Sequence, residues 1–288
     1  MQLQNNMIGI GLKLLNLLGF TVISLLLVFI KSNTINVILL IDITAIVCLL
    51  PWAITTKGKY LKVDNKKQYI NYFLRALFNF VGIFSWIKAM RIMGANEATA
   101  ISYMIPIFTT IMAMIFCGEK LNKKCMIAVC ISFFGVYIIL DPQKDNFTLY
   151  GAIMALLCSF MWACYDIVCK KQTITEHCLA QTFYTFVFAL VFSLVMLMFT
   201  SSNLLLDDVF FIFVIGIISV INITILFLAY KFAPIYLLMP FSYCRLIFMF
   251  IGSYLVFNIQ PNYHLFLGAV VIALTSFYIF HQTHKGNI

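Results

Sequence analysis

Ten stretches of roughly twenty mostly apolar residues run along the 288 positions of this chain, and no other feature restricts its fold so strongly. A helix crosses a hydrocarbon core about 30 Å thick in about 20 residues. In lipid only helices and closed barrels satisfy every backbone N–H and C=O. Strand-type alternation is absent, so the pattern predicts an all-α integral membrane protein with ten transmembrane helices. Charged residues make up 10% of the chain and hydrophobic ones 63%, which leaves no room for a separate soluble domain.

The spans are expected near Met7 to Ile30, Ile35 to Thr56, Ile70 to Ile92, Glu97 to Cys117 and Met126 to Leu140 in the first half. In the second half they fall near Leu149 to Cys169, Cys178 to Thr200, Val209 to Tyr230, Ile235 to Val256 and His264 to Phe280. The first stretch has no basic leader or small-residue cleavage pattern, so it is expected to stay as a span. Lys and Arg set the orientation, because basic loops stay in the cytoplasm. With the N-terminus inside, Lys57, Lys59, Lys62, Lys66, Lys67, Lys120, Lys123, Lys124, Lys170, Lys171, Lys231 and Lys285 are cytoplasmic, against Lys31, Arg91 and Lys144 outside. Both termini are therefore expected in the cytoplasm, with the chain in the inner (plasma) membrane.

A shift of about 140 residues brings two halves, 1–142 and 143–288, into register. Ala89-Met90-Arg91 meets Ala229-Tyr230-Lys231, and Gly135-Val136-Tyr137 falls opposite Ser276-Phe277-Tyr278. Five spans per half is an odd number, so the halves enter the membrane from opposite sides. Inverted repeats of this kind place a transported molecule near the midplane, at the repeat interface.

The +9 net charge is what membrane topology requires of the loops, and it implies anionic headgroups rather than nucleic acid as its partner. Nine cysteines form no C-x-x-C pair and no metal-ligand spacing with the four histidines, so neither a metal nor a cofactor is expected. No H-E-x-x-H, G-x-S-x-G or phosphate-cradling loop occurs, which argues against an enzyme or an ATP-driven pump. A secondary carrier is the leading expectation, with a channel or a multi-pass enzyme lacking a recognisable motif as the alternative.

Ala98-Thr99-Ala100, Pro106-Ile107-Phe108, Gly118-Glu119-Lys120-Leu121 and Gly135-Val136-Tyr137, preceded by Ala89, resemble the fourth and fifth spans of the EamA-type drug/metabolite transporter superfamily. The second half carries Phe257-Asn258 in place of the Gly-Glu pair. The segments Leu74 to Phe108, Asp166-Ile167 with Lys170-Lys171, and Pro240-Phe241-Ser242-Tyr243 look most like the branch that takes up S-adenosylmethionine in intracellular bacteria. The resemblance implies ten helices, two five-helix repeats and a small polar metabolite as cargo. A second copy of the chain is a possible partner.

A charge at mid-bilayer costs about 2.5–3.5 kcal/mol on insertion scales, so each one is a candidate functional group. Lys13, Arg75 and Lys88 lie close enough to span ends for snorkelling. Arg75 also begins a stripe with Asn79, Gly82 and Trp86, which share a helix face and should line a cavity or the repeat interface. Asp166 has Trp162 one turn before it and Lys170 one turn after, which permits either a cavity anion or a local ion pair. Asp42 in the second span corresponds to Gln181 in the seventh. It needs a partner on another helix, a wet cavity or a proton.

Arg245, about midway along the ninth span near Pro240, Ser242 and Tyr243, offers a planar donor fork for a carboxylate or phosphate. Its alternative is a structural pair with Asp42 or Asp166. Tyr103 and Pro106 fall opposite the Ser242 to Arg245 region under the repeat shift. The expected binding set is therefore Arg245, Asp42, Asp166, Trp162, Trp86, Asn79, Tyr103, Tyr243 and Ser242. Its mixed charge suits a zwitterion that carries an amino acid group.

Overall fold

The computed structural model of the chain describes residues 2–63, 65–117, 131, 134, 138, 148–172, 176–200, 203–233, 238, 241–242, 244–258, 263, 266–268, 270–271, 273–275 and 277–278. Its helices are α1 (Gln2–Val28), α2 (Thr34–Thr55), α3 (Lys66–Met93), α4 (Ala95–Ile101) and α5 (Ile105–Cys117). They continue with α6 (Leu149–Gln172), α7 (Cys178–Leu197), α8 (Leu206–Phe232) and α9 (Cys244–Phe257). Single 3₁₀ turns occupy Lys59–Leu61 and Ser102–Met104, and no strand occurs among the described residues. Six helices, α1, α2, α3, α6, α7 and α8, are long and apolar enough to cross a membrane.

Side chains are distributed inside out relative to a water-soluble domain. Ile54 is 71% exposed and Val47 55%, while Arg75 and Gln181 are fully enclosed. Polar groups that lipid would reject are thus gathered in the interior, and the apolar rim faces hydrocarbon. The protein is a multi-pass membrane protein.

Helix ends follow local chemistry. The Asn33 side chain accepts from the Ile35 N–H at 3.4 Å, the Asn65 side chain from Lys67 at 3.3 Å, and the His177 ring from Leu179 at 3.3 Å. Each satisfies a donor that the first turn leaves open. Gly94, at φ +98°, ends α3 in a backbone conformation that other residues rarely adopt.

The expected single fourth span is instead three pieces: α4, the Ser102–Met104 turn and α5. Pro106 cannot donate to the preceding turn, which accounts for the break. The ninth span is described as a helix from Cys244 onward, with residues 241–242 in a 3₁₀ turn and position 238 helical, and Arg245 lies in the first turn of the Cys244–Phe257 helix. The fifth span and the Gly118-Glu119 element lie outside the described residues, apart from positions 131, 134 and 138, and the tenth is described only in part.

Close contacts fix how the long helices run. A Cβ on Gly9 would lie 2.5 Å from Ala233 Cβ, and one on Gly19 2.6 Å from Asn222 Oδ1, so α1 and α8 are antiparallel. Likewise α3 and α6 are antiparallel, since Gly82 abuts Trp162 and Arg75 meets Gln172 while Gly151 abuts Ile92. Antiparallel packing of α2 and α7 follows from the Ser193 to Asp42 bond at one level and the Trp52 to His177 stack at another. By contrast α2 runs parallel to α8, through Ser32 with Asp208 and Thr44 with Gly216. The same holds for α3 and α7, through Tyr72 with Tyr184 and Phe80 with Phe192.

At one end of the bundle Asp208 accepts from the Lys31 amide at 2.9 Å and from the Ser32 amide and hydroxyl at 2.6 Å each. Arg91 donates to the Ser32 carbonyl at 2.6 Å and to Thr34 Oγ1 at 3.1 Å. The turn between α1 and α2 is therefore held by α3 and α8 together.

Candidate functional site

A cavity of about 160 Å³ lies at the centre of the bundle, reached by side chains from α1, α2, α3, α6, α7, α8 and α9 and from the 102–106 segment. One water needs only ~10–15 Å³, so this space holds a small molecule or a group of waters. Lys13 and Arg245 contribute positive charge to its wall, and Asp42 and Asp166 negative charge. Lys13 and Asp166 attract one another across this void, whereas Asp42 is held by the Ser193 hydroxyl.

Each charged group is anchored differently. Asp42, 3% exposed, accepts from the Ser193 hydroxyl at 2.8 Å. Asp166 accepts from the Tyr230 hydroxyl at 2.7 Å and also feels the attraction of Lys13. The Lys13 ammonium stands 5.8 Å from the centre of the Tyr230 ring. Arg245 donates from Nη2 to Ser102 Oγ at 3.0 Å, and its guanidinium carbon is 4.2 Å from the Phe20 ring centre. A desolvated cation–π contact of this kind is worth about 2 kcal/mol. Phe20 in turn is edge-on to Trp86 at 5.0 Å and to Trp162 at 5.3 Å.

Of the residues singled out from the sequence, Arg245, Asp42, Asp166, Trp162, Asn79 and Ser242 meet at this cavity. Trp86 does not line it: the ring is 1% exposed and packs against Phe20 and Trp162. The side chains of Tyr103 and Tyr243 lie outside the described residues.

Two snorkelling expectations are overturned. Arg75 is fully buried and donates from Nη1 to Gln172 Oε1 at 2.7 Å and to Gln181 Oε1 at 3.0 Å, an interior clamp. Lys13 is 6% exposed and belongs to the cavity, because Asp166 and Tyr230 draw it inward.

Asn16, Phe20, Ser102, Tyr165, Ser219, Asn222 and Tyr230 were not anticipated, yet all line the cavity. A signal existed for most of them. Lys13, Asn16 and Phe20 follow an i, i+3, i+7 spacing, and Ser219, Asn222 and Tyr230 an i, i+3, i+11 spacing, each marking one helix face. Ser102-Tyr103 recurs as Ser242-Tyr243 at a shift of 140 residues. Each serine falls in a 3₁₀ turn, Ser102 in Ser102–Met104 and Ser242 in 241–242.

A bundle of membrane-crossing helices around a central charged cavity, with no cluster of metal-ligating side chains among the described residues, has the construction of a transporter. The model of the EamA-like transporter family matches residues 8–141 and again residues 149–281, and the chain belongs to that family. The chain is 28% identical over 242 residues to the S-adenosylmethionine uptake transporter of Rickettsia conorii, covering 83% of this chain and 80% of that one. It is 24% identical over 248 residues to the riboflavin transporter of Brucella anthropi, covering 83% of this chain and 85% of the relative. One solved crystal structure aligns with a TM-score of 0.63 at 14% identity over 96% of both chains, which is a likeness of fold. The protein is a membrane transporter, not an enzyme.

Proposed function

We propose that the chain is a secondary carrier that moves a small zwitterionic metabolite, S-adenosylmethionine or an amino-acid-like compound, across the inner membrane by alternating access. The single observation that carries this reading is the central cavity, where Arg245 and Lys13 oppose Asp42 and Asp166. Arg245 binds the substrate carboxylate through its donor fork. An aspartate balances the amine, and Trp162, Asn79 and Ser242 complete the wall. Tyr103, Tyr243 and Trp86 support it.

Ten helices in two inverted repeats, 1–142 and 143–288, make up the carrier in this reading. Helix direction supports the inversion. With α1 taken as rising, α8 falls, α2 falls with it, α7 rises, α3 rises with α7, and α6 falls. Thus α1 opposes α6, α2 opposes α7 and α3 opposes α8, as inverted repeats require. The packing obeys the same exchange, since α1 lies along α8 as α6 lies along α3. Swapping the conformations of the halves then converts an outward-open cavity into an inward-open one.

Lys57, Lys59, Lys62, Lys66, Lys67, Lys170, Lys171 and Lys231 all sit at the bundle end that carries the start of α1, which supports a cytoplasmic N-terminus, and with ten spans the C-terminus falls on the same side in this reading. The test is exchange: proteoliposomes preloaded with unlabelled S-adenosylmethionine should accumulate labelled compound saturably, without nucleotide. Absence of exchange with S-adenosylmethionine and with a panel of amino acids would refute the substrate class.

A further inference from the structure

Two glycines, one on α1 and one on α3, seat two large cavity side chains. On α1, Gly19 lets the Asn222 amide of α8 approach so closely that a Cβ would lie 2.6 Å from Oδ1. On α3, Gly82 lets the indole of Trp162 on α6 approach so closely that a Cβ would lie 2.6 Å from Cδ1 and Nε1. Under the exchange of halves these are one contact seen twice. Trp162 stands 143 residues after Gly19, and Asn222 stands 140 after Gly82, within the slip of the repeat. The roles are reversed: the large residue comes from α8 in one contact and from α6 in the other.

The two seats hold different chemistry. Trp162 lines the cavity half-buried. Its described ring neighbours are edge-on, as with Phe20 at 87°, or tilted, as with Trp86 at 35° and 6.2 Å, so no described ring lies flat on it. Asn222 is 6% exposed, and its side-chain amide makes no hydrogen bond among the described residues, although its main-chain carbonyl accepts from Asn16 at 3.0 Å. A buried amide on a cavity wall without a protein partner is suited to a partner that the cavity holds. Its Oδ1 is enclosed against Gly19, so the amide N–H groups are what it offers the cavity, donors that complement a ring nitrogen on a heterocycle edge.

We propose that Trp162 and Asn222 form a subsite for a planar nitrogen heterocycle, with Trp162 stacking on the ring and Asn222 reading its hydrogen-bonding edge. This rests on the carrier reading above and decides, between the two cargoes named there, for the ring-bearing one. Arg245, anchored beside Phe20, holds the charged end, so the cavity takes a heterocycle joined to a zwitterion rather than a plain amino acid.

The experiment uses the full chain in nanodiscs with two probes. Adenosine carries the ring without the amino acid, and methionine the amino acid without the ring. In the Trp52→Phe variant, adenosine should quench tryptophan emission saturably, and further replacement Trp162→Phe should abolish most of the quench. Asn222→Leu should raise the adenosine Kd at least tenfold. A wild-type protein that shows no saturable adenosine binding, or an Asn222→Leu variant with unchanged Kd, overturns the subsite.

Photolabelling of the unmodified protein with 8-azidoadenosine gives an answer even if the variants fail to fold. Label on α6 or α8 near Trp162 or Asn222 supports the proposal, and label elsewhere overturns it. Adenosine binding without exchange of any zwitterion would sink the carrier reading alone. Zwitterion exchange without adenosine binding would sink only the subsite.

Discussion

Arg75 binds Gln181 twice, from Nη1 to the side-chain oxygen at 3.0 Å and from Nη2 to the main-chain carbonyl, while Nη1 also reaches Gln172. One guanidinium thereby ties α3 to both α6 and α7. Tyr72 and Phe227 flank it at 5.1 and 5.2 Å from ring centre to guanidinium carbon. Replacing Arg75 by Ala strands buried amide and carbonyl groups and should cost about 2–4 kcal/mol of stability. Arg75→Lys keeps the charge but loses the fork and should fall between. Thermal unfolding in detergent reads this, and an Ala variant that melts with the wild type would refute the clamp.

Arg245 should act on binding. Its replacement by Ala, in protein that still reaches the membrane, should weaken substrate affinity by about 2–5 kcal/mol, the loss expected when one member of a desolvated charge pair is removed. Concentration dependence of exchange in proteoliposomes measures it. Unchanged affinity would make Arg245 a strut for Ser102 and Phe20 only.

Two glycines of α1 should behave oppositely although only one residue separates them. A Cβ at Gly9 meets Ala233 Cβ at 2.5 Å, whereas one at Gly11 meets nothing within 4 Å. Gly9→Ala should destabilise by about 1–3 kcal/mol through overpacking. Gly11→Ala should be neutral or gain about 0.5–1 kcal/mol of helix stability. Equal melting of the two variants would show that α1 and α8 do not pack this closely.

His177 gives a pH dependence of defined sign. Its ring stacks on Tyr60 at 4.6 Å and Trp52 at 5.6 Å. Burial, and then the charge of Lys231, hold the imidazole below its ordinary histidine value. The unfolded chain then takes up the proton at higher pH than the folded one. The stabilisation is complete above about pH 6.5 and is lost as pH falls through that value towards the folded one. The wild-type unfolding temperature should drop between pH 8 and pH 5.5 more steeply than that of His177→Phe. Parallel slopes would clear His177.

Helix type and general placement could be read from hydropathy because the bilayer imposes a length that few soluble helices share. Arg245, Asp42 and Asp166 stood out because any mid-membrane charge does. The snorkelling readings of Lys13 and Arg75 failed for a physical reason, although the stripe that Arg75 heads had pointed to the cavity or the repeat interface. Snorkelling is open to any long cation near a span end, and only the positions of Asp166, Gln172 and Gln181 on other helices decide against it. Asn222 shares a helix face with Ser219 and Tyr230, but an asparagine in an apolar helix looks the same whether that face meets a neighbour or a void. The broken helix at Ser102–Met104 was half visible, since a proline such as Pro106 removes a backbone bond and can bend a helix but does not by itself imply a 3₁₀ turn that brings Ser102 to Arg245.

The long helices pair chiefly across the halves, and this has a consequence for biogenesis. When the first three helices leave the ribosome, their main polar partners do not yet exist. Arg75 precedes Gln181 by 106 residues, which at about 5–20 residues per second is a wait of about 5–20 s. Asp42 waits longer for Ser193, 151 residues later. Until then the insertion machinery or the water around it must shelter both side chains. A ribosome that stalls between the halves leaves a fragment with an unmatched arginine and carboxylate in the membrane, each costly to hold there.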